Sequence, residues 1–575
     1  YQSRLIKPAT LAQAFEPAKI TVDGRDSSYP YGFGWFIDKA REQYSHTGGW
    51  TGFINIILRD VKNNRTLILL SSGSNGSGLV TARDFSNGKT LTVTPTRLIH
   101  NVRVIDGTGI PARQAAVRFQ GDRIMAVGDL KPFAGEETID GGGQILAPGF
   151  IDTHSHLEAS LDDKPQALAA LNQGITTIIS GQDGYSTPTD SLQAKMDRQP
   201  AAINLATYTG HTALREIVMG ENELQRTSTE EELLKMKELL KTEMKQGSLG
   251  LSTGLEYQGA WFSSYHEVLE LAKITAAEHG RYISHLRSED ITLRDAIEEI
   301  ISIGRDAKLP VQISHLKIAL KDDWGTAPQL LARLQLARLQ GIDITADVYP
   351  YEFWRSTLKV LFPKTDYSNE TSAEFAVNHT FDPTASVLVA FKPQPEFKGK
   401  TLSEVAALRG LSPAKTLMAL IAEADDYRKK NPDSSGVEGI MGKSMTDPDL
   451  SAFLSWQHSN ICSDGADGGH PRGYGSFTRV LGHFVREKKI LSLENAINKM
   501  TALAAEQTGI RNRGVIAPGY FADLVLLDPV SVNDNATIQN PTALSDGILK
   551  VWVNGELVYS DKKSTGKFPG KFLKR

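Results

Sequence analysis

The chain predicts an α/β fold: a (β/α)8, TIM-like barrel with a flanking small β-sandwich, preceded by a short β-rich segment. Three observations carry this. Eight short apolar runs recur through residues 149–512: "GFIDTHSH", "ITTIIS", "AINLATYTG", "LGLSTGLEY", "RYISHL", "VQISHL", "IDITADVYPY" and "SNICSDG". Helical patterns separate most of them, which is the alternation of a parallel barrel. Strand-rich segments at 95–148 and 513–562 flank the whole run.

Residues 1 to about 75 read as turns and strands, within a first segment and linker spanning 1–85. "TGFINIILRD" and "RTLILLSS", separated by "VKNN", predict a hairpin. "SSGSNGSG" (71–78) is a Gly/Ser/Asn-rich linker, so a boundary is expected near residue 85. "TRLIHNVRVID" and "QAAVRFQGDRIMAVG" are expected to pair with "ADLVLLD" and "ILKVWVNGELVY" in one sandwich. The clearest helix is "STEEELLKMKELLKTEMKQG", where Ser228 and Glu231 predict a capping box and Gly247 the stop. Residues 365–455 interrupt the alternation before the last strand and predict an insertion at the active-site end, a lid. The basic ending "KKSTGKFPGKFLKR" is expected as a solvated tail.

Net charge is -4, from 63 basic and 67 acidic residues. No basic field for nucleic acid or acidic lipid stands out. No apolar run reaches the roughly 18 residues that span a bilayer. The single cysteine, Cys462, excludes an internal disulfide. That fits the cytoplasm and equally an exported protein. The chain starts at Tyr1 rather than Met, so a processed product or a piece is expected, without any signal peptide.

On a strand, side chains at i and i+2 share a face. His154 and His156 therefore point the same way. Alone they are weak evidence, since a histidine in a strand is usually structural. Other ligand-type residues end strands too: His285, His315 and Asp464, with Asp183 after "ITTIISGQ" and Glu256 closing "GLSTGLEY". Four histidines and an aspartate at the strand ends of one rim point to a divalent-metal site.

The motifs "PGFIDTHSH", "YISHLRSED", "VQISHLK", "SDG" and "GVIAPGYFADLVLLDP" resemble the metal-dependent amidohydrolase superfamily. "GLSTGLEY", "DVYPY", "HPRGYGSFTRVLGHFVRE" and "VWVNGELVYSDKKSTGKFPGKFLKR" resemble its D-aminoacylase (N-acyl-D-amino-acid deacylase) branch, from about residue 95 to the end. The resemblance implies that His154, His156 and Asp464 hold one metal and His285 and His315 a second. It implies hydrolysis by a metal-activated water, with Asp464 as general acid and base. The cofactor implied is one or two divalent ions, zinc foremost.

There is a departure. The branch often carries a cysteine in a "GNCG"-like turn after strand two. Here the turn is "GQDG", with Asp183 at that place. A carboxylate still suits Zn but shifts selectivity toward Mn, Co or Fe. Glu256, where many members place a metal-bridging carboxylated lysine, is the favoured bridge. Asp183 is then a ligand or an outer partner, or simply the turn residue before Gly184.

A substrate carboxylate needs a cation. Lys317 lies two residues after His315, and Arg472 follows Asp464 with a bidentate fork. The resemblance places them, with Tyr349, around the α-carboxylate of the product. His211, ending strand three in "TGHTALR", is a candidate to touch the scissile carbonyl and equally a structural residue.

"YGFGWFI" and "YSHTGGWTGFINIILRDVKNNRTLILLSS" resemble the final part of serine β-lactamase and penicillin-binding-protein-like hydrolases, with His46-Thr47-Gly48 at their Lys-Thr-Gly-type strand. The 45 residues before His46 hold no Ser-x-x-Lys, so the segment is expected to be incomplete, its partner being the missing N-terminal part. The leading expectation is a metallo-hydrolase of N-acyl-D-amino acids, or of dipeptides ending in a D-residue. A cyclic-amide hydrolase and a β-lactamase-like serine hydrolase are the alternatives. A binding module without catalysis is disfavoured by the intact ligand set.

Overall fold

The computed structural model describes residues 8–14, 16, 21–22, 25–26, 31–32, 34–50, 53–71, 82, 84–87, 95–362 and 365–575. The chain forms two units, Tyr1–Thr94 and Pro95–Arg575.

In the first unit, Tyr31–Gly32, Trp35–Asp38, Gln43–Trp50, Phe53–Asp60 and Arg65–Ser71 form an antiparallel sheet in chain order. The predicted hairpin is present, with Asp60 opposite Arg65. Period-two alternation buries Ile56 and Leu58 with Ala82 and Phe85, while Ile57 on the other face is exposed. His46, Thr47 and Gly48 lie mid-strand, opposite Ile57, Ile56 and Asn55. Beyond Ser71, the expected linker lies outside the described residues.

The second unit is built on eight parallel strands: β1 (Phe150–Asp152), β2 (Ile175–Ser180), β3 (Asn204–Thr207, continued by Thr209–Gly210), β4 (Gly250–Gly254), β5 (Arg281–His285), β6 (Val311–Ile313), β7 (Ile344–Val348) and β8 (Ser459–Ile461). β1–β3 pair in order, and the second half of β3 through β8 pair in order. The eighth strand returns to the first: Asp464 N donates to His154 O at 2.9 Å and His156 N to Gly465 O at 2.9 Å. Residues on both faces of these strands are buried, which is why they read as near-continuous apolar runs.

The ladder parts along the first half of β3, where the chain's own end takes the place beside it. Leu205 N donates to Lys571 O at 3.0 Å, Leu573 N to Leu205 O at 2.7 Å and Gly570 N to Ala201 O at 2.9 Å. The basic ending is therefore not a solvated tail. Its backbone is committed to β3, while Lys571, Phe572 and Lys574 keep partly or fully exposed side chains. Gly570 fits only because it lacks a side chain; a Cβ there would meet Ile203 O at 2.0 Å.

The flanking segments pair as expected, but as one nine-stranded sheet. Its path runs from Arg123–Gly128 through Arg113–Gln120, Thr96–Val104 and Ile145–Pro148 to Leu524–Leu527, Ile548–Val553, Glu556–Ser560 and Lys563–Ser564, with Glu137–Asp140 beside Thr96–Val104. Ile145–Pro148 runs straight into β1 through Gly149, whose Cβ would lie 2.2 Å from Thr176 Oγ1. That close passage fixes where β1 delivers His154 and His156.

The helix Glu230–Gln246 ends at Gly247 with φ 116°, as predicted. Its capping box, however, is Thr229 with Glu232, one residue later than the predicted Ser228 with Glu231. Ser228 Oγ is occupied elsewhere, donating to Glu267 Oε2 at 2.7 Å.

Between β7 and β8 the chain builds a separate layer. Phe353–Ser356, Glu438–Lys443 and Val387–Phe391 form an antiparallel sheet with Glu438–Lys443 in the middle. Helices Leu402–Arg409 and Pro413–Lys430 cover it over a core that includes Leu358, Leu388, Leu417 and Ile440. Ser444 Oγ ties this layer to the loop after β6 by donating to Ala319 O at 2.6 Å. No single helix among the described residues is long and apolar enough to cross a membrane.

Candidate metal centre

The strand ends bring the predicted ligand-type residues together. His154, His156, Asp183 and Asp464 offer ligand atoms within 4.8 Å of one another, and so do Asp183, His285 and His315. Asp183 belongs to both groups. Its Oδ1 lies 3.5 Å from His154 Nε2 and 3.5 Å from His315 Nε2, and its Oδ2 lies 3.3 Å from His156 Nε2. Asp464 Oδ1 lies 3.6 Å from His154 Nε2 and 3.4 Å from His156 Nε2.

Three of these residues hold strained backbone. Asp183, His315 and Asp464 have φ of 55°, 36° and 46°, in the left-handed region that costs non-glycine residues roughly 1–2 kcal/mol each. Gly184 and Gly254 let the Asp183 turn close: a Cβ at Gly254 would meet Asp183 O at 2.3 Å.

Glu256 stands elsewhere than expected. Its Oε2 lies 2.8 Å from His285 Nε2, while His285 Nδ1 faces His315 Nε2 at 3.1 Å and Asp183 Oδ1 at 4.0 Å. Glu256 groups with His285 and Glu289, not with the His154–His156 pair. The carboxylate between the two histidine pairs is Asp183.

Two further carboxylates face the other rings, Glu289 within hydrogen-bonding distance and Asp347 beyond it. Glu289 Oε1 lies 3.0 Å from His315 Nδ1. Asp347 Oδ2 lies 3.8 Å from His154 Nδ1, and Asp347 also accepts from His315 N at 2.5 Å and Gln312 Nε2 at 2.7 Å. So His285 and His315 each turn one nitrogen toward Asp183 and the other onto an acid within hydrogen-bonding distance, while His154 Nδ1 only faces Asp347 beyond that distance. That is the arrangement that orients metal-binding histidines. Neither Glu289 nor Asp347 was singled out above. Asp347 ends "ITAD" two residues before Tyr349 and offered the same strand-end signal, whereas Glu289 lies in the loop four residues beyond His285 and did not.

The donor set fits a divalent cation. Both ring nitrogens of His154 and Asp183 Oδ1 are buried with no hydrogen-bond partner among the described residues. Left bare, such atoms cost about 1–3 kcal/mol each. Nitrogen and oxygen donors at this spacing suit zinc, and equally manganese, cobalt or iron.

The electrostatics match. Burial opposes charge on His156, but hydrogen bonds to Asp183 and Asp464 carry it up to about 9. Burial likewise opposes charge on Asp183 and Asp464. The surrounding histidines win at Asp183, and Arg472 with the histidines wins at Asp464, so both are held well below the usual carboxylate range.

The other predicted residues are all buried. Arg472 Nη1 lies 2.6 Å from Asp464 Oδ2, and its guanidinium sits 4.8 Å from the Tyr349 ring centre. Lys317 Nζ donates to Glu289 Oε1 at 2.5 Å and lies 2.7 Å from His315 Nδ1. The buried Tyr349 hydroxyl has no partner among the described residues. His211 begins the helix His211–Met219, with Nε2 held 2.7 Å from Glu267 Oε1 and Nδ1 without a partner. Tyr257, not singled out above, packs its ring 4.4 Å from that of His285.

Residues 137–408 and 398–559 match the Amidohydrolase family. The D-aminoacylase of Alcaligenes xylosoxydans xylosoxydans is 34% identical over 499 residues, 82% of this chain and 96% of that one. The N-acyl-D-glutamate deacylase of the same organism is 32% identical over 502 residues, 82% of this chain and 95% of that one. Among solved structures, the N-acyl-D-glutamate deacylase of Bordetella bronchiseptica, complexed with zinc and a phosphonate mimic of the tetrahedral intermediate, superposes with a TM-score of 0.73. It is 31% identical and covers 83% of this chain and 99% of that one.

Proposed function

Because the chain belongs to the D-aminoacylase branch of the amidohydrolase family, we propose that it cleaves the amide bond of N-acyl-D-amino acids, or of dipeptides with a C-terminal D-residue. The observation that carries this reading is Asp183, shared between the His154–His156–Asp464 group and the His285–His315 pair. His154, His156, Asp183 and Asp464 would hold one divalent ion, and Asp183, His285 and His315 a second. Such ions supply Lewis acidity toward water and the amide carbonyl.

The chain's own groups do the rest. Asp464, kept ionised by Arg472, accepts the proton of the attacking water at its carboxylate and returns it to the leaving amine. Tyr349, Arg472 and Lys317 form the polar wall for the substrate's α-carboxylate; the unpartnered Tyr349 hydroxyl supports this. Lys317 reaches that role only by sharing itself with Glu289. His211 Nδ1 is the group offered to the scissile carbonyl, with Glu267 fixing its ring.

Asp464→Asn is the test. It should retain metal and lose turnover of an N-acetyl-D-amino acid by about 10²–10⁴-fold. Full activity in that variant would remove Asp464 from the mechanism. For the first unit, the reading remains the C-terminal part of a β-lactamase-like domain, supported by its antiparallel strands and the mid-strand position of His46-Thr47-Gly48.

A further inference from the structure

We infer that Gln312 and Asn460 are positioning residues for the metal centre: one string of side-chain amides inside the barrel holds Asp347 against the turn that carries His315. This rests on the metal-dependent reading above and deepens it, naming residues that set the affinity of the centre without touching an ion.

Asp347 grips that turn twice. Its Oδ1 accepts from His315 N at 2.5 Å, and its main-chain O accepts from Leu316 N at 2.9 Å. His315 has φ 36°, a conformation that persists only where its surroundings hold it. Oδ1 also accepts from Cys462 Sγ at 3.1 Å. Oδ2 accepts from Gln312 Nε2 at 2.7 Å and faces His154 Nδ1 at 3.8 Å. Gln312 thus supplies the one hydrogen bond that Oδ2 accepts among the described residues, and so sets how the carboxylate is turned.

Gln312 is held in its turn by a string whose polarity is fixed at both ends. Its Oε1 accepts from Asn460 Nδ2 at 3.2 Å. The same Nδ2 donates to Gln507 Oε1 at 2.7 Å, and Asn460 Oδ1 accepts from Thr153 Oγ1 at 2.6 Å. Gln507, on the helix Ala502–Thr508, donates from Nε2 to His458 O at 3.0 Å. A main-chain carbonyl only accepts, and so does an ionised carboxylate. With His458 O at one end and Asp347 at the other, both glutamines must turn nitrogen outward and oxygen toward Asn460. The Asn460 nitrogen carries a hydrogen for each of those oxygens. One orientation of the three amides satisfies the whole string.

Thr153, Gln312, Asp347, Asn460 and Gln507 are all buried. The interior of such a barrel is ordinarily filled by branched apolar side chains. Amides in their place are costly unless paired, and a fully paired network fixes one arrangement. Here the arrangement it fixes ends on the acid that holds His315 and faces His154.

The test is zinc titration of the full chain, freed of metal by chelation, against a competing chelator. Gln312→Met removes the donor to Asp347 at similar length, and Asn460→Leu removes the hydrogens that orient Gln312. Each should weaken zinc binding by about tenfold. The double variant should lose no more than Gln312→Met alone, because both act through one bond. Losses that multiply to about a hundredfold, or an affinity unchanged in Gln312→Met, overturn the inference and leave the metal reading intact. A lower melting temperature of the metal-free variants with unchanged affinity shows packing alone and overturns it too. Where Asn460→Leu does not fold, Asn460→Asp keeps the volume, removes both donor hydrogens and carries the same expectations. A wild type that binds no divalent ion removes the metal reading, and this inference with it.

Discussion

Glu256 Oε2 lies 2.8 Å from Nε2 of His285, on the side of the imidazole opposite the nitrogen that faces Asp183. In the proposed site a carboxylate there would orient the ring and raise its basicity rather than join two ions.

Metal binding should therefore separate the two acids. Glu256→Gln should weaken the ion at His285 and His315 by about 10–100-fold while leaving both sites able to fill. Asp183→Ala should lower stoichiometry at both, since it removes a donor from each group. Metal titration against a competing chelator measures this. Equal losses in the two variants would put Glu256 back between the ions.

The chain's end should be structural. Deleting residues 570–575 removes the hydrogen bonds that β3 makes with Lys571 and Leu573, that of Ala201 with Gly570, and that of Arg575 with Gly247. At about 1 kcal/mol for each bond, the loss is several kcal/mol. Thermal unfolding should fall by several degrees, with the transition of the Lys571→Ala chain little changed, because that variant keeps the backbone. An unaltered melting temperature in the deletion would show the pairing to be dispensable.

Lys499 supplies a pH signature away from the metal centre. It is buried, donating to Trp456 O, to Ser459 O at 2.8 Å and to Ser459 Oγ at 3.1 Å, with no carboxylate partner among the described residues. Desolvation lowers its pKa to about 7. The unfolded chain then binds the extra proton between pH 7 and 10.5, so the wild type gains stability as pH rises through that window. Relative to Lys499→Met, the gain from pH 7 to 9.5 should be about 3 kcal/mol. Urea unfolding at the two pH values reads it; a flat difference contradicts the lowered pKa.

Strand order and the histidines were legible because both follow short-range rules. Buried parallel strands are continuous apolar runs, and ligands at their C-terminal ends recur in register. What was less legible depends on distant chain. The resemblance favours Glu256 as the bridge because it stands where members place a bridging carboxylated lysine; the left-handed turn at Asp183, packed against Gly254, sets Asp183 among both histidine groups, which no local pattern foretells. The ending "KFPGKFLKR" has the composition of a solvated tail, yet Gly570 and Leu573 find acceptors on Ala201 and Leu205, more than 360 residues earlier. The capping box shifts by one residue because Glu267 claims Ser228.

The proposed activity is metal-dependent hydrolysis selective for D-configured N-acyl substrates. Its most direct measurement is kcat/KM for the D and L forms of a set of N-acetyl-amino acids, taken before chelation, after it, and after zinc is restored. Turnover is expected for D substrates only, lost with the metal and recovered with zinc. Turnover that survives complete metal removal, or that favours the L forms, would contradict it.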